Sequence, residues 1–172
     1  MHSSNIDPAS GLAVAVTSSH TSHFERLGGH EAVVRLVDAF YTAMDTRPEA
    51  AVIRAMHEPD LRDTRARLVS YLSEWMGGPK TYTPARGAPM LRRRHQAFRL
   101  DAPARDAWML CMRQALQQVC LDAGLRQELE AAFYKVADVI RNTDDDGVAL
   151  AHPGRPRERG PEGIAKPPAA RS

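Results

Sequence analysis

Cysteine is scarce in this 172-residue chain, which has two, Cys111 and Cys120, nine positions apart in a stretch that reads as one helix. At ~1.5 Å rise per residue they stand ~13 Å apart, too far to bridge. No disulfide is therefore expected to staple the fold, and both residues read as small core thiols in a reducing compartment. Long apolar runs are also missing: none approaches the ~20 residues that cross a bilayer, which excludes a membrane-spanning protein. The N-terminus lacks the basic start and sustained apolar core of a secretory signal, since Gly11 to Val16 (GLAVAV) is short, and a cytoplasmic location is expected. No stretch alternates as a strand would, and no internal repeat appears. Charge of one sign is lacking as well. The net charge is +2, and residues 147–172 hold five basic and two acidic residues while the first 22 hold only Asp7, so residues 23–146 sum to zero. A neutral folded part argues against a general nucleic-acid binder.

What is present is helical periodicity. At 43% hydrophobic and 26% charged the composition is that of an ordinary globular protein, long enough for one domain with tails. Residues 1–22, rich in Ser, Thr and His, read as a disordered extension. Residues 143–172, which carry five of the chain's twelve prolines, all after residue 146, read as a disordered Pro/Gly/Arg-rich tail. Between them, residues 23–142 form the expected all-α domain. Gly28 and Gly29 mark a turn. A helix over 30–45 buries Val33, Val34, Leu36, Val37, Phe40, Tyr41 and Met44 on one broad face. A short helix is expected over 49–56. Asp60 can cap a helix that runs to residue 76, carries Leu61, Leu68, Tyr71, Leu72 and Trp75, and stops at Gly77-Gly78-Pro79. Residues 80–90 read as a structured loop, and residues 91–97 as little more than one helical turn. Asp101 caps the next helix, with Pro103 tolerated in its first turn and Gly124 as its stop. A last helix over 125–141 buries Leu129, Phe133, Val136 and Ile140.

The stretch from Arg86 to Met112 organises the rest. Three arginines (Arg92, Arg93, Arg94) precede His95, and a short loop leads to the helix of Trp108. Each feature has an ordinary reading: a lone helical histidine is usually a surface or satisfied residue, an arginine run a solvated face or a weak nucleic-acid patch, and a tryptophan simply core. Together they suit one ligand better. Neighbouring cations disfavour imidazole protonation, a neutral imidazole is a good metal ligand, and guanidinium groups suit carboxylates. Haem needs both.

The segments Gly-Gly-Pro-x-x-Tyr (77–82), Arg-Gly-x-Pro-x-Leu-Arg-x-Arg-His (86–95), Phe-Arg-Leu (98–100) and Arg-Asp-Ala-Trp-x-x-Cys-Met (105–112) resemble the group II truncated haemoglobins. The likeness runs from about Phe24 to Asn142. Ala88 departs from it, standing where the family often has histidine. The resemblance implies a two-on-two globin fold around haem b, with His95 as the iron ligand. It implies a distal pocket of Tyr41, His57, Thr64, Leu68 and Trp108, and cofactor contacts from Arg67, Tyr71, Arg92, Arg94 and Phe98. Trp108 can only donate a hydrogen bond, and the Tyr41 hydroxyl can donate too, so bound O₂ would be held tightly. Tight holding favours redox chemistry with O₂, NO or peroxide, supported by a reductase, over bulk transport. NO dioxygenase or peroxidase-like turnover, binding of CO and NO besides O₂, and a homodimer are all admitted. The competing reading is a haem-based gas or redox sensor that acts through its tails. A DNA-binding reading of Leu91 to His95 is disfavoured by the neutral domain.

Overall fold

The computed structural model describes residues 21–144 and residue 150. The described residues form eight α-helices and one 3₁₀ turn: α1 (His23–Leu27), α2 (Gly29–Thr46), the 3₁₀ turn Pro48–Ala50, α3 (Ala51–Ala55), α4 (Arg62–Trp75), α5 (Tyr82–Arg86), α6 (Leu91–Arg94), α7 (Ala102–Val119) and α8 (Ala123–Ile140). Among the described residues no helix is long and apolar enough to cross a membrane. The expected terminal extensions lie almost wholly outside the described residues. Ser22 is an exception, because its side chain and that of Glu25 form a reciprocal capping box at the start of α1.

Gly28 ends α1 in the left-handed region at φ 114°, and Gly29 follows at φ 73°, so the expected turn falls where only glycine is comfortable. α2 then buries Val33, Leu36, Val37, Phe40 and Met44 to 1% exposure or less. α2 packs most extensively on α7, which packs on α8, while α4 packs on α2. The four long helices thus make two pairs, α2 with α4 and α7 with α8, joined through the α2–α7 crossing. Arg26 ties α1 to α8 through Glu128 at 2.7 Å, and Arg105 ties α7 to α8 through Asp138 at 2.7 Å.

Three local expectations change. Residues 80–90 are not all loop: the Glu74 carboxylate accepts from the Tyr82 and Thr83 N–H groups, each at 2.9 Å, and from the Thr83 hydroxyl, and α5 forms on that cap. Gly124 does not stop the preceding helix. α7 ends at Val119 with Cys120 extended, and Gly124 lies inside α8, whose first turn is capped by Asp122 accepting from Leu125 N–H at 3.0 Å. α6 is shorter than expected, four residues, with His95 as its C-cap. Asp60 precedes the cap position of α4 by one residue, yet its carboxylate accepts from the Arg62 N–H at 3.0 Å. Both cysteines are buried and free, and burial pushes both thiols up.

Candidate functional site

The Phe40-Tyr41 pair of α2 is the centre of a continuous series of rings. Tyr41 meets Phe40 edge-on at 5.0 Å and His57 at 5.8 Å; Phe40 meets Trp108 of α7 at 5.2 Å. Trp108 meets Phe133 of α8 at 5.9 Å, and Phe133 stacks on Trp75 of α4 at 4.9 Å. The helical stripes of α2, α4, α7 and α8 each contribute one or two members, so the series runs through all four long helices. Three expected pocket residues, Tyr41, His57 and Trp108, are brought together here.

Tyr41 is 3% exposed. Burial pushes its phenol up to about 12, against the opposing pull of the Arg65, Arg67 and Arg54 cations. The Arg65 guanidinium lies 5.2 Å from the ring centroid and is itself held by Asp38 at 2.8 Å. Among the described residues, no hydrogen bond runs from the Tyr41 hydroxyl or the Trp108 indole N–H to a protein acceptor, and neither is among the buried polar atoms left without a partner. His57 is different. Its Nδ1 faces the Ile53 carbonyl at 2.8 Å, so Nδ1 carries the proton, and in the neutral ring Nε2 can accept but not donate. The expected donor role for His57 therefore needs a protonated ring.

His95 stands apart from the ring series. Its Nδ1 faces the Leu91 carbonyl at 2.7 Å, which makes Nδ1 the protonated nitrogen and leaves the Nε2 lone pair of the neutral ring free for a metal. Met90, the N-cap of α6, has a left-handed φ of 45°, a strained geometry for a side-chain-bearing residue. Arg94 is exposed, and its guanidinium donates to the Pro89 carbonyl at 2.9 Å and the Arg86 carbonyl at 3.3 Å. It braces the preceding loop. Arg92 is half-buried and Arg67 exposed.

Thr64, Leu68 and Tyr71 are half-buried on α4, with Leu68 and Tyr71 packed against the core and Tyr71 edge-on to Tyr82 at 5.5 Å. Phe98 is 37% exposed. A cleft of about 540 Å³ opens beside His57, lined also by Met44, Arg47, Arg54 and Pro59. It includes His57 but none of Tyr41, Trp108 or His95. The sequence reading missed Arg65, whose approach to Tyr41 and Asp38 joins two helices and leaves no local signal. It also missed Asn142, which it took only as the end of the domain.

Among the described residues no three His, Cys, Asp or Glu side chains converge as metal ligands. A single oriented imidazole suits a metal that arrives with its other ligands, as iron does in haem. Two unpaired donors, on the buried Tyr41 and the half-buried Trp108, suit a small polar ligand. The donor set therefore fits the expected cofactor. The bacterial-like globin profile matches residues 22–142. The group 2 truncated hemoglobin YjbI of Bacillus subtilis is 35% identical over 101 residues, 59% of this chain and 74% of that protein. The group II 2-on-2 hemoglobin of Agrobacterium tumefaciens superimposes with a TM-score of 0.70 at 37% identity, covering 75% of this chain and 99% of that one. The cold-adapted truncated hemoglobin of the Antarctic bacterium Pseudoalteromonas haloplanktis does so with a TM-score of 0.69 at 34% identity, covering 71% and 98%.

Proposed function

As a member of the group II truncated haemoglobins, within the bacterial-like globins, the chain binds haem b, and we propose that it holds O₂ against two hydrogen-bond donors for redox chemistry with NO or peroxide rather than for bulk transport. The observation that carries this reading is the pair of unpaired donors, the Tyr41 hydroxyl and the Trp108 N–H, both bordering Phe40.

When bound, haem supplies an iron that takes diatomic gases. His95 would hold it through Nε2, with Nδ1 tied to Leu91. Arg92, Arg94 and Arg67 are the cations assigned to its carboxylates, Arg94 through the one guanidinium nitrogen that the loop carbonyls leave over. Leu68, Tyr71 and Phe98 would supply apolar contact, and Thr64 is too small to compete for the ligand. Tyr41 and Trp108 would donate to the oxygen atoms of O₂, which carry more negative charge than the single oxygen of CO. Each such bond in a dry pocket contributes on the order of 1–3 kcal/mol, so its loss speeds release roughly 5- to 150-fold. Net consumption of NO with O₂ and one electron to give nitrate, or of peroxide with two electrons and two protons to give water, needs a reductase as partner.

The test is stopped-flow release of O₂ and CO from the wild type, Tyr41→Phe, Trp108→Phe and the double variant. Each single variant should speed O₂ release far more than CO release, and the two effects should not add if both donors hold one ligand. Equal acceleration of both gases would mean that the substitutions only opened space. Unchanged O₂ release in both single variants would return the protein to easy-release carriage.

A further inference from the structure

Between the end of α6 and the start of α7 the backbone makes turn bonds, Phe98 N–H to the His95 carbonyl at 3.0 Å among them, and one distant side chain supplies three further hydrogen bonds. Asn142, two residues past α8, donates through Nδ2 to the carbonyl oxygens of Phe98 (2.8 Å) and His95 (3.3 Å). Its Oδ1 accepts from the Leu100 N–H at 2.9 Å and from the Thr143 hydroxyl at 3.2 Å. The backbone N–H groups of Asn142 and Thr143 both donate to the Leu100 carbonyl, at 3.0 and 3.3 Å. A carboxamide supplies two donors and an acceptor on one short stem; a carboxylate of the same shape has no donor.

His95 is thus held twice. Its ring is fixed through Nδ1 to Leu91, one turn earlier, and its backbone is fixed through Asn142 to the end of α8. Neither restraint sets the direction of Nε2 alone, because the first leaves the whole α6 turn free to tilt. We propose that Asn142 is a positioning residue for His95: by clamping the turn from His95 to Leu100 onto the end of α8, it sets the tilt and reach of the imidazole toward haem iron. The inference deepens the proposed function and rests on its assignment of His95.

The experiment uses the full-length holoprotein as wild type, Asn142→Asp, Asn142→Ala and His95→Ala. Asn142→Asp keeps the size and the acceptor for Leu100 but sets an acceptor-only oxygen against the His95 and Phe98 carbonyls, whereas Asn142→Ala removes the contacts without that repulsion. The iron–histidine stretching band of the ferrous, ligand-free protein is read by resonance Raman, and haem transfer to excess apomyoglobin is timed. Both Asn142 variants should shift or broaden the band. Haem transfer should speed roughly tenfold in both Asn142 variants, the equivalent of one or two hydrogen bonds. A merely structural Asn142 would lower the melting temperature and leave the band in place, which overturns the proposal. If the band survives in His95→Ala, His95 is not the ligand and the reading of the site fails. If it vanishes there but stands unmoved in both Asn142 variants, the clamp alone fails.

Discussion

Tyr41 carries opposing demands at the scale of one side chain. Its ring is core, and its hydroxyl has no protein partner. Burial holds the phenol neutral to about 12 in the folded chain, against about 10 in the unfolded one. The unfolded state therefore loses this proton first as pH rises. The neutral phenol's contribution to stability is fully present below about pH 10 and is lost through about pH 12, amounting to roughly 2–3 kcal/mol. Denaturant midpoints measured from pH 8 to 12 should fall steeply in the wild type and less in Tyr41→Phe, which has no proton to lose. Parallel curves would assign the alkaline decline to other groups. At His57 the tautomer decides the role: a neutral ring that donates from Nδ1 to the Ile53 carbonyl presents Nε2 as an acceptor.

Among the elements, the corner where the domain's first helix meets the end of α4 is the most exacting. Phe24 donates its N–H to the Met76 carbonyl at 3.0 Å, and its ring covers Gly78. A β-carbon on Gly78 would stand 2.6 Å from that ring and 2.8 Å from the Ser73 carbonyl. Side-chain rotation can relieve the first clash; the second involves backbone. Gly78→Ala should lower stability by about 1–3 kcal/mol, and in Gly78→Ala/Phe24→Ala the two losses should sum to less than their separate values. Urea midpoints of the four proteins settle it, and strict additivity would mean that the ring is not what the new methyl meets.

That corner also shows what the sequence made legible. Gly77-Gly78-Pro79 announces a helix stop, and the apolar stripes of α2, α4, α7 and α8 announce the long helices, because both signals are local. α5 was missed because its cap, Glu74, sits eight residues upstream on another element. Gly124 was misread because glycine is tolerated in a first turn when an aspartate two residues earlier caps it. Tyr41 and Trp108 could be placed on buried stripes and given roles by resemblance. That they share Phe40 as a neighbour, and that Arg65 and Asn142 reach across to them and to His95, depends on how the helices cross. Sequence spacing does not encode this.

Across the whole molecule, the most extensive packing joins α2 to α7, and these helices are far apart in the chain. α2 ends at Thr46 and α7 at Val119. At ~5–20 residues per second of synthesis, the intervening seventy-three residues take roughly 4–15 s to make. Through that interval α2 has only α1, α3, α4 and the 3₁₀ turn to lean on. Ribosome-bound chains arrested with α4 outside the tunnel should therefore be cut within α2 by added protease, while chains with α7 and α8 outside should resist. Protection already complete at the shorter length would show that α2 and α4 hold together unaided. If protection waits for α7, the growing chain spends those seconds as a client for chaperones, and its yield in a cell is set by elongation speed as much as by the stability of the finished fold.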